Sequence, residues 1–350
     1  MSHTATGGGR GGAACFEIRA TGTGCWLYFT LRVARSGQAV DSQLRLRSKE
    51  RDREQMSTIQ GPVLPRRRIA KELKQLRDAS NMRLEEVASE TEVSTSTLSR
   101  LENAQAAANA LTIRALVNFY KIADTELGQN LMRWAKDGRK QGWWQDFPEK
   151  ATETTTANVT LYVAYESQAA VMKMYMIPFI PVLLQTREYS KAIAERFNPT
   201  YSEGEIKALL EFWKCRQQVL TSRADQPPLE LRVILDESCL TKFVGSQDVM
   251  RNQLKKLLDV TATHRNVELR VLPQSAPPHK AMKGMWTHFE FADPLDEDVA
   301  FIESHLVGLT PLEDPRDVKK SATSFTELSD LSLSLEESAD LIKRVIDRFS

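Results

Sequence analysis

The sequence predicts a mainly α region of five helices, followed by a larger α+β region with a mixed sheet. Two observations carry this prediction. Between residues 66 and 136, apolar residues recur every three or four positions, which is the period of amphipathic helices. After Gly142, β-branched apolar runs alternate with helical patterns, the order of a βαβ unit with parallel strands. With 350 residues, 41% hydrophobic and 27% charged, the chain has room for two or three globular domains.

The N-terminal helices are short and closely spaced. We expect the first at Arg66–Ala79, the fourth at Leu111–Tyr120 and the fifth at Asp124–Lys136, with Asp124 as the N-cap of the fifth. The second and third share residues 83–104, and only a few residues separate them. Five such helices indicate a compact all-α domain.

The helix pair at residues 83–104 carries the strongest functional pattern. Each helix has one apolar stripe, so both face one core; the stripes are Leu84, Val87, Ala88 and Leu98, Leu101. Ser94 stands where the second helix needs an N-cap. The opposite face can bond base edges or phosphates; it carries Thr95, Ser96, Ser99, Arg100 and Asn103, and Thr97 joins them in the expected DNA-binding set. This spacing is typical of a helix-turn-helix that reads double-stranded DNA; the alternative is an ordinary helical hairpin with a solvated face.

The net charge of +1 conceals a local basic segment. Residues 56–123 contain ten Lys or Arg against seven Asp or Glu, and Arg66, Arg67 and Arg68 lie side by side. A local positive field suits a phosphate backbone, although a basic run by itself is more often a solvated helix face. The basic segment indicates DNA binding only in combination with the helix pair that follows it.

Cysteine and hydropathy patterns narrow the setting. The four cysteines form no CxxC pair, so neither a disulfide framework nor a zinc site is predicted, and a reducing cytoplasm is expected. The chain has no run of about 18 apolar residues, so no membrane partner is expected.

Residues 1–55 differ in composition from the rest of the chain. They hold eight of the sixteen glycines and lack the order of a secretory signal. Two interpretations are open: a flexible arm whose arginines touch DNA, or upstream sequence translated because the start codon was placed too early. We favour the second, with Met56 as the natural start. The predicted divisions are therefore 1–55, 56–141 and 142–350.

The C-terminal region alternates strands and helices. The expected elements are a strand at Val171–Ile177, helices at Arg187–Arg196 and Glu203–Arg223, strands at Leu229–Leu235 and Val267–Leu272 around a helix at Val249–Thr263, a hairpin of Gly284–Phe291 with Val299–Glu303, a further strand at Leu306–Leu309, and helices at Pro315–Asp330 and Leu335–Phe349. Ser334 and Glu337 form a capping box at the last helix.

A ligand or partner pocket is expected at the carboxyl ends of the parallel strands, where open sheets usually bind ligands. Its predicted residues are Asp236, Glu237, His279 and Glu303. The histidines and acids of this region form no HxxxH, HExxH, GxSxG or P-loop pattern, so neither catalysis, a metal nor a cofactor is expected.

The helix pair, closed by LSRLENA at Leu98 to Ala104, resembles the Xre, or Cro/C1-repressor-like, helix-turn-helix regulators from about Arg66 to Gly138. The resemblance implies base-facing positions and phosphate contacts; the former are Thr95, Ser96, Ser99 and Arg100, and the latter Asn103, Arg83 and Arg66 to Arg68. Two residues depart from the family pattern. Glu92 stands where the turn usually has Gly, and Arg83 stands where a Ser or Thr N-cap is usual, leaving Asn81 or water to cap that helix.

The second half resembles the C-terminal domain of unknown function that accompanies such helices in actinobacterial regulators. The landmarks are GWWQDFP at Gly142, YVAYESQA at Tyr162, IPFIPVLLQTREY at Ile177, VILDESCL at Val233, VLPQSAPPH at Val271 and LEDP at Leu312. This resemblance implies a transcription regulator, often encoded beside a small partner protein.

The leading interpretation is a homodimeric regulator that reads DNA with its helix pair and senses a ligand or partner with its second region. The alternative is an antitoxin-like or regulatory interaction protein whose main role is to bind a small protein encoded nearby. An enzyme tethered to DNA is the third class. Adjacent gene content and co-purification would distinguish the first two classes.

Overall fold

Five α-helices form the N-terminal region of the computed structural model. They are α1 Leu64–Ala79, α2 Leu84–Thr91, α3 Thr95–Glu102, α4 Ala110–Phe119 and α5 Glu126–Asp137. One buried cluster draws on all five helices, and it includes Val87 of α2 with Leu98 and Leu101 of α3. The prediction of five helices around a shared core is confirmed.

The structure describes residues 61–148, 151, 158–223, 226–304, 308–312 and 314–349. The predicted extension, residues 1–55, lies outside this set, as does the first part of the strand expected at Leu306–Leu309. None of the described helices is both long and apolar enough to cross a membrane.

Two N-caps in the helical region test the sequence predictions. Ser94 caps α3 as predicted, because its Oγ accepts a hydrogen bond from the backbone N–H of Thr97 at 3.2 Å. The prediction of Asp124 at α5 was wrong by one residue. Thr125 is the N-cap, and its Oγ1 accepts from the N–H of Gly128 at 3.2 Å. Asp and Thr are both good caps, and only the backbone conformation decides between neighbours.

The C-terminal region is built on a six-stranded mixed sheet. The strands are β1 Val171–Met176, β2 Glu230–Asp236, β3 Val267–Leu272, β4 Met285–Glu290, β5 Val299–Ser304 and β6 Gly308–Leu312. Their spatial order is β3-β2-β1-β4-β5-β6. The first three strands are parallel, and β4, β5 and β6 pair antiparallel, with β4 beside β1. The predicted βαβ unit and hairpin are both present.

Helices cover both faces of the sheet. They are α6 Val159–Glu166, α7 Arg187–Phe197, α8 Glu203–Gln217, α9 Ser238–Thr241, α10 Gln247–Thr263, α11 Pro315–Leu331 and α12 Leu335–Ile346. Met174 and Val233 belong to the larger core cluster, whereas their neighbours Tyr175 and Ile234 belong to a smaller one with Phe325 of α11. Successive strand residues point to opposite faces, so α11 packs on the face opposite the larger core.

Three of these helices differ from the prediction, and one of them, the short α9, was not predicted. The sequence did not predict α6, because its residues are apolar on every side and show no amphipathic period; six of its eight residues are buried. Helix α8 ends at Gln217 rather than Arg223, and a short 3₁₀ turn follows it. The capping box of α12 is confirmed, since Glu337 accepts from the N–H of Ser334 at 2.9 Å.

The helical region and the sheet region pack into one compact unit. Val63 and Leu64, at the start of α1, are buried in the larger core of the sheet region. Trp144 of the linking segment joins the same core, and the ring of Trp143 lies 5.6 Å from that of Phe212. The aromatic linker therefore packs the two regions together.

Candidate nucleic-acid interface

Helix α3 presents a polar face to solvent. Leu98 and Leu101 anchor it in the core, while Thr95, Ser96 and Arg100 are exposed on the outer side. The side chain of Arg100 makes no hydrogen bond or ion pair with any described residue, so its guanidinium donors are available to a ligand. An α-helix with its side chains is about 10–12 Å across, which fits the width of about 12 Å of a major groove.

Two polar side chains of this face are engaged within the helix. The Oγ1 atom of Thr97 lies 2.8 Å from Oγ of Ser94, inside the cap. Asn103 donates from Nδ2 to the carbonyl oxygen of Ser99 at 2.8 Å. Thr97 and Asn103 thus have local structural roles beside their predicted DNA contacts, and Asn103 remains exposed at the end of α3.

The turn between α2 and α3 uses a residue other than glycine in a left-handed conformation. Glu92 has φ +57° and ψ +21°, the geometry for which Gly is preferred. The sequence comparison with the family pattern anticipated this strain.

At the other end of α2, Oε2 of Glu86 accepts from the N–H of the N-cap residue Arg83 at 2.6 Å. The Arg83 side chain forms no cap hydrogen bond, and the expectation that Asn81 or water satisfies the first-turn N–H groups of α2 stays a prediction. The Arg83 side chain is exposed at the start of α2.

An ion pair that the sequence did not reveal ties the first helix to the end of α3. Arg77 of α1 donates from Nε to both carboxylate oxygens of Glu102, at 2.9 and 3.0 Å. Its Nη1 also donates to the carbonyl oxygen of Met82, at 3.1 Å, in the segment before α2. Hydrogen bonding to Glu102 raises the pKa of Arg77. The 25-residue separation in the chain carries no periodic signal.

The predicted phosphate contacts at Arg66 and Arg67 meet other partners in this structure. Arg66 is only 2% exposed, and its Nε donates to the carbonyl oxygen of Gly138 at 3.3 Å. Arg67 donates from Nη1 to the carbonyl oxygen of Glu297 at 2.8 Å and lies over the ring of Tyr165. The partner of Arg66 lies within the helical region, whereas both partners of Arg67 lie in the sheet region.

Arg68 and Lys71 are paired with an acidic turn between β4 and β5. Arg68 donates to both oxygens of Asp296, at 2.8 and 2.5 Å, and lies 2.8 Å from Asp293. Lys71 pairs with Glu297 at 2.8 Å. Arg68 and Lys71 are thus paired with acids of the sheet region, while Arg66 and Arg67 hydrogen-bond carbonyl oxygens, so the predicted phosphate contacts at Arg66 to Arg68 have partners within the protein. The sequence feature that could have revealed this pairing is the acid-rich segment DPLDED at residues 293–298, which the sequence analysis interpreted only as a turn.

A cavity of about 670 Å³ lies at the junction of the two regions. From the helical region it is lined by Arg67, Asn103 and Gln105, and from the sheet region by Tyr165 and Asp298 among others. A volume of this size accommodates a small organic molecule. An occupant would contact the end of α3 and the sheet region at once.

Of the four residues predicted for a pocket at the strand ends, only His279 lines the cavity described there. Asp236 accepts from the Tyr175 hydroxyl at 3.3 Å, and Glu237 accepts from the N–H of Gln274 at 2.8 Å. His279 packs edge-on to Tyr175 with ring centres 6.1 Å apart, and its Nδ1 has no hydrogen-bond partner among the described residues. A cavity of about 420 Å³ lies beside His279. Tyr175 therefore contacts two of the four predicted residues, Asp236 and His279.

Glu303 does not belong to that group. It lies two residues after Phe301 on β5 and so shares the face of the larger core, opposite Tyr175. Burial raises the pKa of its carboxyl, while Arg216 opposes that shift. Arg216 itself forms a bidentate pair with the fully buried Glu166, at 2.9 and 2.7 Å. The placement of Glu303 in the predicted pocket was wrong, because a strand separates alternate residues onto opposite faces.

Comparison with known families identifies both regions. A family model described as a domain of unknown function, DUF5753, matches residues 159–344, more than half of the chain. The chain belongs to the DUF5753 family. A model described as a helix-turn-helix domain matches residues 68–129. No curated protein and no solved structure matches the chain.

These matches agree with the division seen in the structure. The helix-turn-helix match includes α2 and α3 whole, and the DUF5753 match begins at α6 and ends within α12. The helix-turn-helix domain suggests DNA binding. The DUF5753 domain contributes the acidic turn, and the junction cavity lies between the two.

Proposed function

We propose that the chain is a sequence-specific transcription regulator of the Xre type, in which α3 reads the major groove and the DUF5753 domain senses a ligand or partner. One observation carries the proposal: within the matched helix-turn-helix domain, α3 is capped, anchored by two buried leucines, and exposes Thr95, Ser96 and Arg100.

Arg100 supplies most of the expected base discrimination. Its guanidinium can donate two parallel hydrogen bonds to O6 and N7 of guanine, an interaction worth about 1–3 kcal/mol against a wrong base. Thr95 and Ser96 are short and can bond several bases, so they add little selectivity. Arg83 and Asn103 are exposed at the ends of α2 and α3 and are the proposed phosphate contacts.

Affinity for DNA is expected to depend only weakly on salt. Each neutralised phosphate releases counterions and steepens the salt dependence of binding, and Arg66, Arg67 and Arg68 are already engaged within the protein. One α3 helix reads only a few base pairs, which favours a homodimer on two half-sites about 34 Å apart. We include this homodimer in the proposal.

The sensor role rests on the junction cavity. Asn103 and Gln105, just beyond α3, line it together with DUF5753 residues. A ligand held there binds both regions, so its binding free energy depends on how they are arranged, and DNA affinity depends reciprocally on the ligand. A small protein encoded by a neighbouring gene is the alternative effector.

The test is a binding-site selection from random duplex DNA, followed by affinity measurements over a range of salt concentrations. Replacement of Arg100 by Ala should reduce the preference for the selected site at least about tenfold while nonspecific binding persists. The matched control is Arg133→Ala, an exposed arginine on α5 whose described contact is the local Asn130. An R100A variant that selects the same site with the same preference as R133A would refute α3 as the reading helix.

A further inference from the structure

A buried histidine lies next to the acidic turn of the junction. His288 of β4 is 1% exposed. Its Nδ1 is 2.8 Å from Oγ of Ser321 on α11, and its Nε2 is 3.2 Å from Oδ2 of Asp298 and 3.9 Å from Oε1 of Glu290. His288 and Asp298 also line the junction cavity.

The hydrogen bonds of Ser321 favour one arrangement of the His288 ring. A serine hydroxyl has one hydrogen, and Ser321 donates it to the carbonyl oxygen of Val318 at 2.7 Å. With that bond in place, Ser321 accepts from Nδ1–H of His288, and Nε2 faces the carboxylates of Asp298 and Glu290. Either a proton or a metal ion on Nε2 then separates the imidazole from these carboxylates.

We propose that His288, Asp298 and Glu290 bind a divalent transition-metal ion of the zinc class. One nitrogen and two carboxylate oxygens are typical ligands for such ions, and an imidazole ligand disfavours Mg²⁺ and Ca²⁺. The three donor atoms lie within 4.8 Å of one another. The 3.2 Å spacing of Nε2 and Asp298 already suits two ligands on one ion with bonds of about 2.1 Å.

The remaining geometry is compatible with binding. Glu290, half-buried beside the site, needs a side-chain rotation to approach the ion. Its ion pair with Lys173 balances one carboxylate, so a divalent ion would be held by one uncompensated negative charge and the imidazole. Asp298 is 44% exposed, which gives the ion a route of entry, and the cavity leaves a coordination position for water or a small ligand. Ser321 acts as the outer partner that orients the imidazole.

The site would connect metal binding to the DNA-binding region. Asp298 is adjacent in sequence to Glu297 and Asp296, which hold Lys71 and Arg68 of α1. An ion that holds Asp298 restrains the same turn. Metal occupancy would therefore stabilise the contact between the DUF5753 domain and the helix-turn-helix domain.

The experiment measures metal binding to the full chain without DNA, so its outcome is independent of the proposed function. After treatment with a chelator, the protein is titrated with Zn²⁺ by calorimetry and with Co²⁺ by its visible absorption. We expect one equivalent of each ion to bind. Because a His288 variant could fail to fold, the test variant is Asp298→Asn, which should weaken binding at least about tenfold. The control is Asp293→Asn in the same turn, which should bind as the wild type does.

Two results would overturn the proposal. The first is no saturable binding of Zn²⁺ or Co²⁺ to the wild-type protein. The second is equal affinity in D298N and D293N, which would place the ion elsewhere. Nitrogen-15 spectra of the histidine rings identify the competing occupant: a hydrogen on Nε2 of His288 that persists with excess Zn²⁺ would show that a proton, not a metal, separates the imidazole from the carboxylates.

Discussion

Replacement of Glu102 by Ala should loosen the end of the recognition helix α3 and lower the stability of the helical region. Glu102 accepts both hydrogen bonds from Nε of Arg77, the arginine that also bonds the carbonyl oxygen of Met82 before α2. The variant leaves that guanidinium without its main counter-charge. The variant therefore removes an ion pair that connects α1 to the end of α3 through an arginine that also contacts the segment before α2.

The expected loss is about 2 kcal/mol of unfolding free energy. An exposed ion pair contributes at most about 1 kcal/mol, and breaking a fully buried one costs about 3–5 kcal/mol. The side chains of Arg77 and Glu102 are 16% and 9% exposed, which places the pair between these limits. Arg77 keeps its contacts with Met82 and with the exposed Asp78, so the loss lies toward the middle of the range.

The assay is urea denaturation of the full chain followed by far-ultraviolet circular dichroism. Glu90→Ala on α2 is the matched control, because Glu90 is also a helical glutamate but is exposed. Both variants make the same Glu-to-Ala change in a helix, so the change in helix propensity is the same in each. We expect E90A to lie within about 0.5 kcal/mol of the wild type. If E102A also lies within that interval, the Arg77 pair does not stabilise the helix pair and the reasoning fails.

Three further predictions follow from single positions. Glu92→Gly should raise stability by about 1 kcal/mol in thermal denaturation, because Gly adopts the left-handed turn without strain. Asp296→Asn should cost about 2 kcal/mol and speed hydrogen exchange in the acidic turn, because the amide cannot accept the paired hydrogen bonds of Arg68. Glu303→Gln should stabilise the protein more at about pH 7 than at about pH 4 in urea titrations, because burial raises the pKa of Glu303 and the wild type loses that stability as the carboxyl ionises.

Each prediction has an internal control. Glu90→Gly, in a right-handed helical conformation, should destabilise where E92G stabilises, and destabilisation by both would show that residue 92 is unstrained. Asp293→Asn removes a more exposed partner of Arg68 and should cost less than D296N; equal losses would contradict the assigned geometry. For Glu303, a pH-independent gain would show that the carboxyl is not destabilised by ionisation.

Local patterns predicted most of the secondary structure. Several predicted features depend on residues a few positions apart, so they follow a fixed period or offset in the sequence. They are the apolar stripes of α2 and α3, the Ser94 cap, the strand and helix patterns of the βαβ unit, and the capping box of α12. Helix α6 was missed for the converse reason. Its surroundings are apolar on all sides, so no period marks it.

The exposed face of α3 was also predictable, because a short helix with one apolar stripe has only one other face to offer. The partners of Arg66, Arg67 and Arg68 were not. A basic run in sequence is compatible with DNA, solvent or an acidic surface, and only the folded chain shows that residues 293–298 meet it. Ion pairs between residues far apart in the chain follow no fixed sequence spacing, so a sequence pattern does not predict them.

The sequence by itself determined the two regions, the helix pair α2 and α3 and the cap of α3, because these depend on local periodicity and on hydrogen bonds between near neighbours. The tertiary structure alone decided which charged side chains are paired within the protein. It brought Arg68 to Asp296, Arg77 to Glu102 and His288 to Asp298, and it separated Glu303 from Asp236 across the sheet. Such contacts depend on how distant elements pack, and packing is a property of the whole chain.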